Sequence, residues 1–108
     1  MKTEKESQIS EEIIFKQNYP GFREFLMDCQ DSIYRRILVI HEELNQSGQK
    51  EKRLIIMARI DGFIYGFERD ISRDNRSVLK EVISKYFELI EDYETCAKIV
   101  KICHPDKG

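Results

Sequence analysis

Apolar positions along this chain fall into three long stretches with polar breaks between them. In the first, Phe22, Phe25/Leu26, Cys29, Ile33, Ile37, Ile40 and Leu44 advance by three or four residues, which predicts a helix from Pro20 to about Asn45. Pro20 suits a first turn, Glu24 places negative charge near the positive end of the helix dipole, and Gly48 can form a left-handed cap. The second stretch, Leu54–Ile71, is the most apolar. Met57, Ile60, Ile64, Phe67 and Ile71 follow the same helical spacing, widened by Ile56 and Phe63, and predict a helix from about Gln49 to Ile71–Asp74. In the third, Leu79, Ile83, Tyr86, Ile90, Tyr93, Ala97 and Val100 alternate steps of four and three. Val82, Leu89, Cys96 and Cys103 add a second stripe every seven residues, predicting a helix from about Asn75 to Ile102. Ahead of these, Glu11–Lys16 holds Ile13, Ile14 and Phe15, enough for one or two helical turns before Asn18-Tyr19-Pro20-Gly21 breaks the chain.

The expected fold is therefore all-α: an antiparallel bundle of three long helices plus a short N-terminal helix. It occupies residues 11–103, with a flexible segment at 1–10 and a tail at 104–108. Apolar faces this wide exceed what three helices need for closure, which points to a homodimer completing a larger bundle.

Composition narrows the function classes. A formal charge of −2 over 108 residues supplies no global field for nucleic acid or anionic lipid. No apolar run reaches the ~20 residues needed to span a bilayer, and MKTEKESQISEE lacks an apolar stretch followed by a cleavage site. Cys29, Cys96 and Cys103 are odd in number and read as free buried thiols in a reducing compartment, so the cytoplasm is the expected location.

Within the second stretch, Asp61 interrupts the apolar face, and a carboxylate there needs a partner such as Arg35 or Arg36. Gly62 and Gly66 lie one helical turn apart and suit close helix packing. Tyr65, off the main stripe, is a candidate contact residue for a protein partner. Arg69, Arg73 and Arg76 surround the break before the last helix, where arginines and helix amides can hold phosphate, although Glu68, Asp70 and Asp74 are interspersed. Asp61, Tyr65, Arg69, Arg73 and Arg76 are thus the candidate partner-binding residues.

Enzyme motifs are incomplete. His41-Glu42-Glu43-Leu44-Asn45 begins like a zinc-binding H-E-x-x-H but has one histidine, and Cys96, Cys103 and His104 lack a C-x-x-C. The acidic sets at Glu42-Glu43 and Glu88-x-x-Glu91-Asp92 resemble those of all-α nucleotide pyrophosphohydrolases, but Gln46 replaces a required glutamate. The tail His104-Pro105-Asp106-Lys107-Gly108 resembles the HPD loop of J-domain co-chaperones, which implies a chaperone ATPase as partner. The preceding helix departs from that family, being acidic at Glu88, Glu91, Asp92 and Glu94 where the family is basic.

The resulting expectation is a small cytoplasmic helical protein-interaction module (adaptor, regulator or inhibitor), not an enzyme, with neither metal nor cofactor. The alternatives are a nucleic-acid-associated regulator using the arginines before the last helix, and a magnesium-dependent nucleotide hydrolase.

Overall fold

The computed structural model describes residues 9–104 and mixes strands with helices. Strand β1 (Ile9–Tyr19) leads into helix α1 (Phe22–Ser47), which is followed by β2 (Glu51–Ile60) and β3 (Phe63–Ser72). A π-helical stretch, Leu79–Ile83, then runs into α2 (Ser84–Leu89), and α3 (Tyr93–Cys103) is the last described element. The fold is α+β, not the expected all-α bundle.

Helix α1 forms where the periodicity places it. Phe25, Cys29, Ile33, Ile37, Ile40 and Leu44 are buried along it, and Gly48 ends it at φ 81° with its N–H bonded to the Leu44 carbonyl at 3.0 Å. A 26-residue helix is ~39 Å long, a little more than a ten-residue strand at ~33 Å. It therefore spans the sheet and serves as the crossover that lets β1 and β2 run parallel.

The stretch expected to be the second helix is a β-hairpin. Burial along β2 alternates, with Leu54, Ile56, Ala58 and Ile60 buried, a period of two instead of 3.6. Asp61 and Gly62 both have positive φ, 53° and 81°, as a two-residue type I′ hairpin turn requires. An Asp-Gly pair between β-branched and aromatic runs is a hairpin signature, and here it outweighs the coincident i, i+4 spacing of Ile60 and Ile64. Asp61 is consequently exposed at the turn and not buried in an apolar face. Arg35 pairs instead with Asp31 and Asp92, and Arg36 with Glu11. Gly62 and Gly66 pack no helices: the first makes the turn, and the second lies in β3 opposite Met57.

The short N-terminal helix is also replaced by strand, since Glu11–Lys16 belongs to β1. Ile13 and Phe15 pack against the core while Ile14 faces outward. The long last helix is broken at Ile90–Asp92, where Glu91 takes φ 62° and the Asp92 side chain caps α3 by accepting from Thr95 N–H at 3.2 Å. Several residues of its expected seams are thereby exposed, Leu89 at 83% and Tyr93 at 64%.

Sheet order is β1-β2-β3, with β2 and β3 antiparallel. Helix α1 packs against the sheet, whose alternating burial along β2 marks one covered face, and the C-terminal helices pack on α1; principal extents are 47 × 45 × 17 Å. Phe25, Ile40, Leu44, Leu54, Leu79, Ile83 and Phe87 are the most deeply buried side chains, each worth about 1.5–3 kcal/mol for apolar burial. Arg35 ties α1 to the C-terminal helices, donating to Asp92 at 2.9 Å and lying 4.8 Å over the Phe87 ring. Hydrogen bonds from Arg35 hold the Asp31 and Asp92 carboxyls below their usual range.

The two glycines separate hairpin from helix. Gly62→Ala forces an L-residue into the left-handed region and is expected to cost about 1–2 kcal/mol. At Gly66 an added Cβ meets only the end of the unbranched Met57 side chain, Sδ at 3.3 Å and Cε at 3.8 Å, so Gly66→Ala is expected to change stability by under about 0.5 kcal/mol. Urea unfolding of the two variants measures this; a helix would instead be stabilised by about 1 kcal/mol in both cases.

Candidate functional site

The hairpin turn fixes the position of β3. Asp61 N–H donates to the Tyr19 carbonyl at 2.7 Å, and Gly62 N–H donates to Asn18 Oδ1 at 2.8 Å, so the turn is stitched to the end of β1. Tyr19 is itself held by its hydroxyl, which donates to Asp28 on α1; that bond and burial raise its phenol above the ordinary range. A two-residue turn makes Ile60 and Phe63 the closing hydrogen-bonded pair. Counting from it, Phe63, Tyr65 and Phe67 direct their backbone groups toward β2. Ile64, Gly66, Glu68 and Asp70 direct theirs outward, along the free edge of the sheet.

This edge is unprotected. Phe63 and Ile64 are each 64% exposed and Tyr65 46%, so the first half of β3 presents apolar side chains on both faces. On the helix side they join the half-exposed Phe22 of α1: Phe22 and Phe67 rings lie 5.6 Å apart, and Tyr65 stacks on Phe67 at 6.5 Å. Leu26, also exposed, lies one helical turn beyond Phe22. The opposite edge differs. Strand β1 has a register break between Phe15 and Asn18, with exposed Lys16 inside it, and bulges and lysines are devices that blunt an edge.

The five candidate residues separate into two groups. Asp61, Tyr65 and Arg69 are exposed along the hairpin. Arg73 and Arg76 instead brace the junction of the sheet with the helices. Arg73 Nη1 donates to the Gly48 carbonyl at 3.0 Å and its Nε pairs with Asp74 at 3.4 Å. Arg76 donates to the Cys103 carbonyl at 3.1 Å and to Asn45 Oδ1 at 3.0 Å, joining the ends of α1 and α3. Glu68 and Asp70 are both engaged by Arg53 on β2. Phe22, Phe63 and Ile64, central to the exposed surface, are absent from the candidates read from sequence, because a helical period assigns them to a core. Their legible signal is the Asp-Gly turn, which puts Phe63-Ile64-Tyr65 at the start of a strand.

Beside Arg76 lies His41, only 4% exposed, against a small cavity of about 80 Å³ also lined by Ile37, Arg69, Asp70, Ser72 and Asn75. His41 Nδ1 and Arg76 Nε are buried with no partner among the described residues. Burial, then the Arg76 charge, lowers the imidazole to about 4. Among the described residues no three His, Cys, Asp or Glu side chains converge as a metal site. Cys29, Cys96 and Cys103 are free thiols. No described helix is long and apolar enough to cross a membrane. Pro105–Gly108, most of the HPD-like tail, lies outside the described residues. Comparison with protein-family models, curated proteins and solved structures finds no match to this chain.

The lowered His41 sets a pH dependence. The unfolded chain takes up a proton near pH 6.5, whereas the folded one resists until about 4. The stability His41 contributes is complete above pH 6.5 and lost as pH falls toward 4. Urea midpoints measured from pH 8 to 4 should decline across this window and flatten in His41→Gln. Asp31 and Asp92, with lowered folded values, lose their contributions only as pH falls below the ordinary carboxylate range.

Proposed function

We propose that this chain is a protein-interaction module whose working surface is the free edge of β3, onto which an extended segment of a partner adds as a further strand. The supporting observation is the contrast between the two edges. Strand β3 is ten residues long, starts Phe63-Ile64-Tyr65-Gly66-Phe67, and exposes apolar side chains on both faces, while β1 is bulged and carries Lys16. A regular edge segment that is apolar on both faces, as residues 63–67 are, is an aggregation hazard unless something occupies it. Strand addition would satisfy the outward N–H and C=O groups of Ile64, Gly66, Glu68 and Asp70. The apolar residues beside them would provide pockets for alternate side chains of the incoming segment.

Binding without turnover suits the rest of the molecule. Among the groups with displaced pKa values, Asp31, Arg35, Lys52 and Asp92 belong to ion pairs, and Tyr19 and Tyr86 donate hydrogen bonds to Asp28 and Asp31, contacts that hold the fold together. Free Cys29, Cys96 and Cys103 suit a reducing compartment.

Ile64→Pro provides the test. Proline at this position removes an N–H that the β2–β3 ladder does not use, so the fold should be retained while strand addition is blocked. A library of displayed random peptides selected against the folded protein should yield extended sequences with apolar residues at alternate positions. Their Kd, measured by fluorescence anisotropy, should rise at least tenfold in Ile64→Pro with the circular dichroism spectrum unchanged. Selected peptides that bind Ile64→Pro as tightly as the parent would contradict the reading.

A further inference from the structure

We infer that the segment received by β3 is the β3 strand of a second copy of this chain, paired antiparallel about a two-fold axis through Tyr65. This inference rests on the strand-addition reading above and names its partner. A two-fold axis normal to the sheet pairs an edge strand with itself antiparallel and keeps both copies of α1 on the same face. The result is one six-stranded sheet, β1-β2-β3-β3-β2-β1.

Side chains of β3 select the register. Because residues directly opposite must share a face, the axis must pass through a residue, and axes at Tyr65, Gly66 and Phe67 keep the apolar start of the strand within the overlap. An axis at Phe67 sets Ile64 against Asp70 and Gly66 against Glu68, burying carboxylates beside apolar groups. It also extends the overlap to Ile71, which is buried beside the cavity that Asn75 and Val78 line. Placing the axis at Gly66 opposes Phe63 to Arg69 and Ile64 to Glu68. The Tyr65 register alone matches apolar with apolar: Phe63 with Phe67, Ile64 with Gly66, and Tyr65 with its own counterpart. It also brings Asp61 at the turn to the level of Arg69, opposite charges at each end of the overlap. Glu68 and Asp70 then stay outside the apolar overlap, with Arg53 of their own copy.

Backbone geometry agrees. Ile64 and Gly66 face outward and form hydrogen-bonded pairs across the axis. Tyr65 lies in a non-hydrogen-bonded pair, where Cα atoms come within ~4.5 Å and side chains are closest. The helix-side layer closes at the same time, since Phe22, Phe63 and Tyr65 of both copies gather around the axis. These residues with Leu26 and Ile64, exposed by 39–64%, offer on the order of 500 Å² of apolar surface per copy if each side chain spans ~150–250 Å². A standard interface needs ~800 Å² per partner. Flanking backbone and the Asp61 and Arg69 side chains extend the contact toward that size.

Disulfide trapping of the full chain tests partner and register together. On a Cys96→Ser background, Tyr65→Cys places two thiols across the axis at a Cα separation a disulfide can bridge. Phe63→Cys places its two thiols four residues apart along the strands, ~13 Å, beyond reach. Under mild oxidation, non-reducing electrophoresis should show most of the Tyr65→Cys protein as a covalent dimer and Phe63→Cys no more than the parent. Sedimentation should show the wild-type chain as a dimer whose Kd rises at least tenfold in Ile64→Pro. A wild-type monomer at every concentration, a dimer indifferent to Ile64→Pro, or equal trapping of both cysteine variants would overturn the inference. In each of these cases, peptide binding that Ile64→Pro abolishes would leave the strand-addition reading standing; peptide binding that it does not affect would remove both.

Discussion

Two consecutive residues with positive φ, Asp61 and Gly62, set the geometry of this protein. A type I′ turn matches the natural twist of the strands it joins, so β3 must return along β2 in one register. The Tyr19 carbonyl and the Asn18 amide oxygen secure the turn from the end of β1. A one-residue slip would place Leu54, Ile56, Ala58 and Ile60 on the wrong face of the sheet, which makes the turn decisive. It also determines which backbone groups of β3 are satisfied internally and which are offered to solvent.

The rest of the fold is built on α1, which packs against the sheet and receives the C-terminal helices. Its contacts with those helices include the edge-to-face pair Tyr34–Tyr86 and the hydrogen bond from Asn45 to the Ile102 carbonyl. Arg35 and Arg76 work differently from the surface pair Arg53–Asp70. Each bridges elements distant in sequence, and Arg76 satisfies the last carbonyl of α3, a group that helix geometry leaves without a partner. Apolar burial supplies most of the stability, and these bridges fix how the helices dock. Burial alternates along β2, so one face of the sheet is covered and the other open, and of its two edges β1 is bulged while the first half of β3 is regular and apolar.

Helix α1 was legible because its period is unambiguous and its Gly48 stop has a mechanical meaning. The hairpin was not, because Leu54–Ile71 is apolar enough to satisfy two periods at once. Ile60, Phe67 and Ile71 fit one face of a helix as well as they fit one face of a hairpin. Residue type was the deciding information: β-branched Ile55, Ile56, Ile60 and Ile64 with Phe63, Tyr65 and Phe67 favour strand, and Asp-Gly divides them into two runs. The break at Glu91 carries no glycine or proline, so its left-handed backbone has no strong local signal, though Asp92 is a good cap. Tyr65 emerged as an exposed candidate even under a helical reading because it sits off the apolar stripe, and Arg69 because it belongs to the arginine cluster before the last helix. Phe22, Phe63 and Ile64 did not, since large apolar residues are assigned to a core unless the topology shows them to be uncovered.

Hydrogen exchange at individual amides along β3 tests the account most directly. At low protein concentration Phe63, Tyr65 and Phe67 should be protected while Ile64, Gly66 and Glu68 exchange at nearly the unfolded rate, a strict alternation. Raising the concentration should bring protection to Ile64 and Gly66 as a second copy docks. Uniform protection from Leu54 to Ile71 at low concentration, with no alternation along β3, would mean a continuous helix and contradict the hairpin. Alternation that never changes with concentration would contradict an edge occupied by its own copy.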